Sequence, residues 1–272
     1  MIELLQYTFF TNALIAALLT SISCGIIGTY IVARRMVFIG GGITHASFGG
    51  IGIAYFIGLN PMLGAAVFAV FSAFGINYFT HKGKIREDSS IAIWWSLGMA
   101  LGIIFIALKP GYAPNLMSFL FGSILTVNTT DLAYMLAVTL LVVAIFVLFF
   151  RLIVMISFDE DFANARNLPV VPFNYLLIVL SALVIVASTR VSGVILVLSL
   201  LTLPQATANI FTRSFKTIMI YSIIIGFVGM VLGLALSYYT NLPSGATIII
   251  TLTLFFGAGR LIRWVLPMQK QI

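Results

Sequence analysis

Apolar runs of about twenty residues recur along almost the whole chain, and no other feature limits its fold so sharply. Wound as a helix, such a run crosses a ~30 Å hydrocarbon core, where every backbone N–H and C=O must find its partner within the segment. We read crossings at 9–33, 38–58, 61–80, 91–108, 131–151, 173–189, 193–212, 217–238 and 245–265. The runs are continuous rather than alternating with polar residues, which disfavours a transmembrane β-barrel. Of the 272 residues 8% are charged and 61% hydrophobic, against roughly 25% charged in ordinary soluble domains. The expected fold class is all-α: a polytopic membrane protein of about eight to nine transmembrane helices, with 1–272 forming one membrane domain. The first run carries Glu3 and lacks a basic flank, so it reads as a span rather than a cleaved leader. The segment 115–127, short and broken by Gly and Ser, reads as interfacial or re-entrant.

Basic residues set the orientation. Arg34, Arg35, Lys82, Lys84, Arg86, Arg151, Arg166, Arg213, Lys216, Arg260, Arg263 and Lys270 fall on one side, and Lys109 and Arg190 on the other. Cytoplasmic loops attract such an excess, so the first terminus lies outside and the last inside. The formal charge of +7 therefore reports topology and calls for no nucleic-acid partner. Cys24 is the single cysteine, which excludes an intrachain disulfide. No G-x-x-x-x-G-K-[ST] loop occurs, so work against a gradient needs a partner ATPase or coupled ions.

Three segments carry the chemistry. In RRMVFIGGGITHASFGG, from Arg34 to Gly50, the arginines mark the inner interface and His45 follows ten residues after Arg35. At ~1.5 Å per residue that is roughly 15 Å, near mid-bilayer. An ionisable group at that depth is costly and is by default a functional-site hypothesis, and neutral imidazole is a common transition-metal ligand. Thr44 and Ser47 supply hydroxyl oxygens beside it. The flanking glycines allow close helix approach, or unwinding that exposes carbonyls. Plain helix packing, with His45 in an interhelical hydrogen bond, accounts for the same residues. His81, beside Lys82 and Lys84, reads as a solvated loop residue.

In FDEDFANARNLPVV, Asp159, Glu160 and Asp161 favour a helix N-terminus. Ala163, Ala165 and Leu168 suit a helix of two turns, Asn167 can take the left-handed turn that ends it, and Pro169 and Pro172 oppose continuation. Such a helix can lie in a groove of another protein, although a simple connecting loop fits as well. In TRVSGVILVLSLLTLPQATANIF (189–211), Pro204 interrupts an apolar span, and Gln205, Thr207 and Asn209 follow. A kinked, polar-lined helix could gate a path, but prolines are common in membrane helices.

In this order, and with LSYYTNLPSGATIII near the end, these segments resemble the membrane-spanning permease subunit of the ATP-binding-cassette importers for zinc, manganese and iron. The resemblance implies a bundle like that of the cobalamin and siderophore importers. It implies a homodimer around a central pathway, a cytoplasmic ATPase subunit, an extracytoplasmic metal-binding protein, and residence in the bacterial inner membrane among lipid. It assigns residues 158–168, with Phe158, Asp159, Glu160, Asp161, Ala163, Arg166 and Asn167, to ATPase coupling. It makes His45 a transient metal ligand with Thr44 and Ser47 as oxygen ligands, and Pro204 and Gln205 a gate. It further implies that no cofactor is held permanently, that the chain is no enzyme, and that a divalent metal is the substrate.

The family pattern G-D-x-x-x-H puts an aspartate one turn before the histidine, where this chain has Gly41. Without that carboxylate the path holds imidazole, hydroxyls and carbonyls, which favours the nitrogen-preferring Zn²⁺ or Fe²⁺ over Mn²⁺. A siderophore or cobalamin importer is the alternative within this fold. An ion-coupled carrier would place carboxylates inside the membrane, whereas the acids away from the inner face are Glu3 and Asp131.

Overall fold

The computed structural model describes residues 6–109 and 124–265. These residues form helices and connecting turns, with no strand among them. The helices are α1 (Thr8–Ala33), α2 (Val37–Ile57), α3 (Pro61–His81), α4 (Glu87–Leu108), α5 (Thr129–Phe158), α6 (Glu160–Ala165), α7 (Val170–Leu200), α8 (Leu203–Phe211), α9 (Phe215–Thr240) and α10 (Ser244–Val265). Nine segments of the described residues are long and apolar enough to cross a membrane, matching the nine expected. Of the segment 115–127, residues 115–123 lie outside the described residues, and Ile124–Thr126 form one 3₁₀ turn.

Local chemistry explains most boundaries. Gly58 closes α2 at φ +80, and Asn60 opens α3, its side chain accepting from the Met62 N–H at 2.9 Å with Pro61 behind it. At α5, Asn128 and Asp131 form a reciprocal capping box, satisfying two amides that the first turn leaves open. Glu87 and Asp88 extend α4 four residues ahead of the expected start, because acids suit the positive end of a helix. Asn241 ends α9 at φ 54.

Two crossings depart from their expected form. α5 runs 30 residues, seven of them beyond the expected end at 151, and is kinked at Phe149 (φ −115, ψ 20); its last turn leads directly into α6. The expected crossings 173–189 and 193–212 meet at Gly193, whose φ 70 and ψ 168 break the helix. A side chain there would be strained, so glycine is what permits the break. The second crossing then stops at Leu201–Thr202 and restarts as α8 with Pro204 in its first turn.

Small residues bring the bundle together. Cβ atoms added at Gly49 and Gly52 of α2 would fall 2.9 and 2.5 Å from carbonyl oxygens of Gly98 and Gly102 on α4. The two backbones thus touch, as small-residue packing in lipid requires. α2 is helical from end to end, so its glycines serve close packing and do not unwind the helix. The main core runs chiefly through α1, α5 and α7, while α6 rests on a separate small cluster of Ile156, Ala163 and Val170.

Candidate functional site

His45 is the ninth residue of the 21-residue α2, close to the middle of the span. Its ring is half-buried and lies flat against the indole of Trp95 on α4, with centroids 4.2 Å apart and planes 6° from parallel. Trp95 is 39% exposed, so the pair sits at the surface of the bundle rather than in its core. Stacking fixes the plane of the imidazole and leaves its two nitrogens pointing along that plane. The Gly49–Gly98 approach, one turn deeper, is what draws the two rings into register. Trp95 was not legible as a site residue, since nothing in its own segment marks it.

Gly41 lies one turn before His45, on the same face. A Cβ there would sit 3.5 Å from Leu198 and 3.9 Å from Trp95, ordinary contact distances. The position therefore accepts a Cβ without a clash beside the stacked pair.

Thr44 and Ser47 are 0% and 1% exposed. Their hydroxyls donate to the Gly40 and Thr44 carbonyls at 2.6 Å each. The structure thus turns them into their own helix and does not bring them to the face that His45 occupies. Among the described residues no three His, Cys, Asp or Glu side chains group to hold a metal. A ligand set centred on one His45 needs carbonyls, water or a second chain to be complete.

At the inner end, α6 forms as its residues suggest. Asp159 caps it, accepting from the Phe162 N–H at 2.8 Å, and Glu160 and Asp161 occupy the first turn. Asn167 takes φ 56 and ends it. Pro169 sits at the N-cap of α7, and Pro172 falls in that helix's first turn, where a missing N–H costs nothing. The residues of this segment then divide by direction. Phe158 and Phe162 are 65% and 49% exposed; Asp159, Asp161, Arg166 and Asn167 are exposed too, and the Arg166 guanidinium lies 5.1 Å over the Phe162 ring. Ala163 is 0% exposed and seats the helix. Glu160 turns inward, pairing with Arg34 at 2.8 Å and accepting from the Asn174 amide at 2.9 Å.

Pro204 and Gln205 are buried, Gln205 completely. The Gln205 Nε2 donates to the Cys24 carbonyl at 2.9 Å and the Leu200 carbonyl at 3.2 Å. It ties α8 to α1 and takes up an acceptor freed where α7 ends. Both residues are thus held inside the protomer at the break between two helices and line no surface with His45.

A bundle of nine apolar helix segments with a short capped helix between two of them has the form of the membrane-spanning part of a transporter. Comparison with known proteins agrees. Residues 6–262 match the family model described as ABC 3 transport family, and the chain belongs to that family. It is a multi-pass protein of the bacterial inner membrane. An uncharacterized membrane protein of Synechocystis sp. is 41% identical, over 94% of this chain and 91% of that protein. The manganese transport system membrane protein MntC of Halalkalibacterium halodurans is 35% identical, over 93% and 87%. Among solved structures, PsaBC from Streptococcus pneumoniae in complex with Fab contains a chain with TM-score 0.85 and 34% identity, covering 97% of this chain and 98% of that one.

Proposed function

We propose that this chain is the permease subunit of an importer for divalent transition metal, with Mn²⁺ as the principal substrate. Two copies would enclose the path, a cytoplasmic ATPase would dock on α6, and an extracytoplasmic binding protein would deliver the ion. The observation that carries the reading is the near full-length likeness to a membrane protein of a manganese transport system. The same likeness favours Mn²⁺ ahead of the Zn²⁺ that Gly41 suggested, and carbonyl and water oxygens around His45 would suit that harder ion. His45 is the ligand group, stacked on Trp95 at mid-span. Phe158, Asp161, Phe162 and Arg166 form the outward docking face. Pro204 and Gln205 act as the pivot of the gate, holding the break at Leu201–Thr202 to α1. The whole of 1–272 works as one membrane domain surrounded by lipid.

The test is ⁵⁴Mn²⁺ uptake into vesicles by the chain co-expressed with its ATPase subunit. ATP-dependent uptake that falls about 10–100-fold in His45→Ala supports the reading, the range seen when groups around a metal are removed. Uptake of Mn²⁺, Zn²⁺ and Fe²⁺ all unchanged in that variant would refute the ligand role.

A further inference from the structure

Glu160 stands apart from its acidic neighbours. Asp159 and Asp161 face outward, whereas both Glu160 carboxylate oxygens are used inside the protein. Oε2 accepts from Arg34 Nη2 at 2.8 Å and Oε1 from Asn174 Nδ2 at 2.9 Å. Arg34 also donates Nη1 to the Ile156 carbonyl at 3.1 Å, in the last turn of α5. One guanidinium therefore gathers the ends of α1, α5 and α6, and Asn174, 7% exposed, adds α7. The ion pair is partly screened from solvent, with side-chain exposures of 18% and 31%, and charge-assisted bonds of this kind are both stronger and more directional than neutral ones.

Arg34 holds a particular place in the chain. It is the C-cap of α1, and α2 begins three residues later after a tight turn in which Arg35 takes φ 60. The Met36 amide bonds back to the Ile31 carbonyl at 2.9 Å, so the turn is fixed to α1. His45 follows two turns into α2. On the other side, α6 is seated by its own cluster, Ile156, Ala163 and Val170, outside the main core.

We propose that the Arg34–Glu160 ion pair is a positioning link that carries movement of α6 into the α1–α2 turn, and so to the helix bearing His45. The proposal rests on the reading of α6 as the ATPase-docking helix. A small helix outside the core can be displaced by a partner without deforming the bundle, and a charged clamp ties that displacement to α1. Coupling between two sites requires such a shared element whose position both of them bias.

The experiment uses the full complex in vesicles and reads Mn²⁺ taken up per ATP hydrolysed, for wild type, Arg34→Ala, Glu160→Ala and the double variant. We expect the ATPase to remain bound and the ratio to fall about tenfold in each single variant, with the double no worse than the lower single, as for two residues acting as one unit. Glu160→Gln keeps an acceptor for Arg34, so its ratio falls less; it also decides the matter should Glu160→Ala fail to accumulate in the membrane. An unmoved ratio in the single variants overturns the proposal, as does a double variant whose losses multiply. Loss of the ATPase from Glu160→Ala alone also overturns it, since Glu160 would then be a docking contact. A wild-type complex without ATPase binding or Mn²⁺ uptake instead sinks the importer reading itself.

Discussion

The imidazole of His45 on α2 and the indole of Trp95 on α4 lie face to face, 4.2 Å apart and 6° from parallel. Histidine in a membrane span has few ways to keep a fixed plane without a hydrogen-bond partner, and an aromatic wall is one of them. Aromatic pairs of this kind contribute about 0.5–1.5 kcal/mol beyond their buried area. Trp95→Ala should therefore cut Mn²⁺ uptake by about 3–10-fold through loss of ring orientation, within the range that energy implies. Trp95→Phe, which keeps a face for stacking, should recover most of it. Because Trp95 is 39% exposed, both variants should reach the membrane at wild-type levels, checked by immunoblot beside the uptake assay. Equal uptake by the alanine and phenylalanine variants would show that the stack does not matter.

Gly41 offers a test of metal preference. A Cβ there makes ordinary contact with Leu198 and Trp95 at 3.5–3.9 Å, so Gly41→Asp brings a carboxylate beside His45 if those two side chains repack. Carboxylate oxygen raises affinity for Mn²⁺ more than for softer ions. The Mn²⁺ to Zn²⁺ uptake ratio, measured with both isotopes in competition, should rise several-fold, an increment of about 1 kcal/mol in relative affinity. Without metal the new carboxylate is an unpaired charge in the membrane, so the variant should also gain thermal stability on adding Mn²⁺, an effect that the wild type lacks or shows weakly. A fall in the ratio would contradict the assigned ligand geometry.

On α6 the outward aromatic residues carry the docking prediction. Phe162 is 49% exposed with Arg166 stacked on it, the pattern of an anchor waiting for a pocket. Phe162→Ala should weaken ATPase association by about 10–100-fold, since buried aromatic anchors at interfaces contribute about 2 kcal/mol or more. Pull-down of the ATPase by tagged permease in detergent measures this. Asp161→Lys should act in the same direction, while Asp161→Asn should act less, separating charge from shape. Association unchanged in Phe162→Ala would move the docking face elsewhere.

The bundle and the start and stop of α6 were legible in the sequence because each depends on local chemistry. Apolar run length gave the crossings, and Asp159 and Asn167 gave the two ends of α6. What the sequence did not reveal depends on which residues meet across helices. Trp95 becomes a site residue only because glycines on α2 and α4 bring their backbones into contact. Glu160 reads as one of three equivalent acids until Arg34 turns it inward. The boundary near Gly193 was legible from Arg190 and its polar neighbours, but hydropathy carries no trace of the positive φ that Gly193 adopts there. Gln205 reads as a polar lining residue, whereas the fold spends its amide on carbonyls of Cys24 and Leu200.

Gly193 makes the last prediction, and the single cysteine supplies its reporter. At φ 70 and ψ 168 an L side chain meets its own backbone, so Gly193→Ala should cost about 1–3 kcal/mol, the range for a residue held in such a region. Cys24 is 1% exposed, with its thiol 3.4 Å from the Ser188 hydroxyl between α1 and α7. A thiol-reactive fluorophore therefore labels it only when those helices part. Heating the purified protein in detergent with the fluorophore should give a lower transition temperature for Gly193→Ala than for wild type. A helical glycine packed less tightly, such as Gly257, which has open space at its Cβ position, provides the control: Gly257→Ala should leave the transition where it is or raise it slightly, since alanine is the better helix former by about 1 kcal/mol. Matching transitions for Gly193→Ala and wild type would mean that the chain passes this point by another conformation.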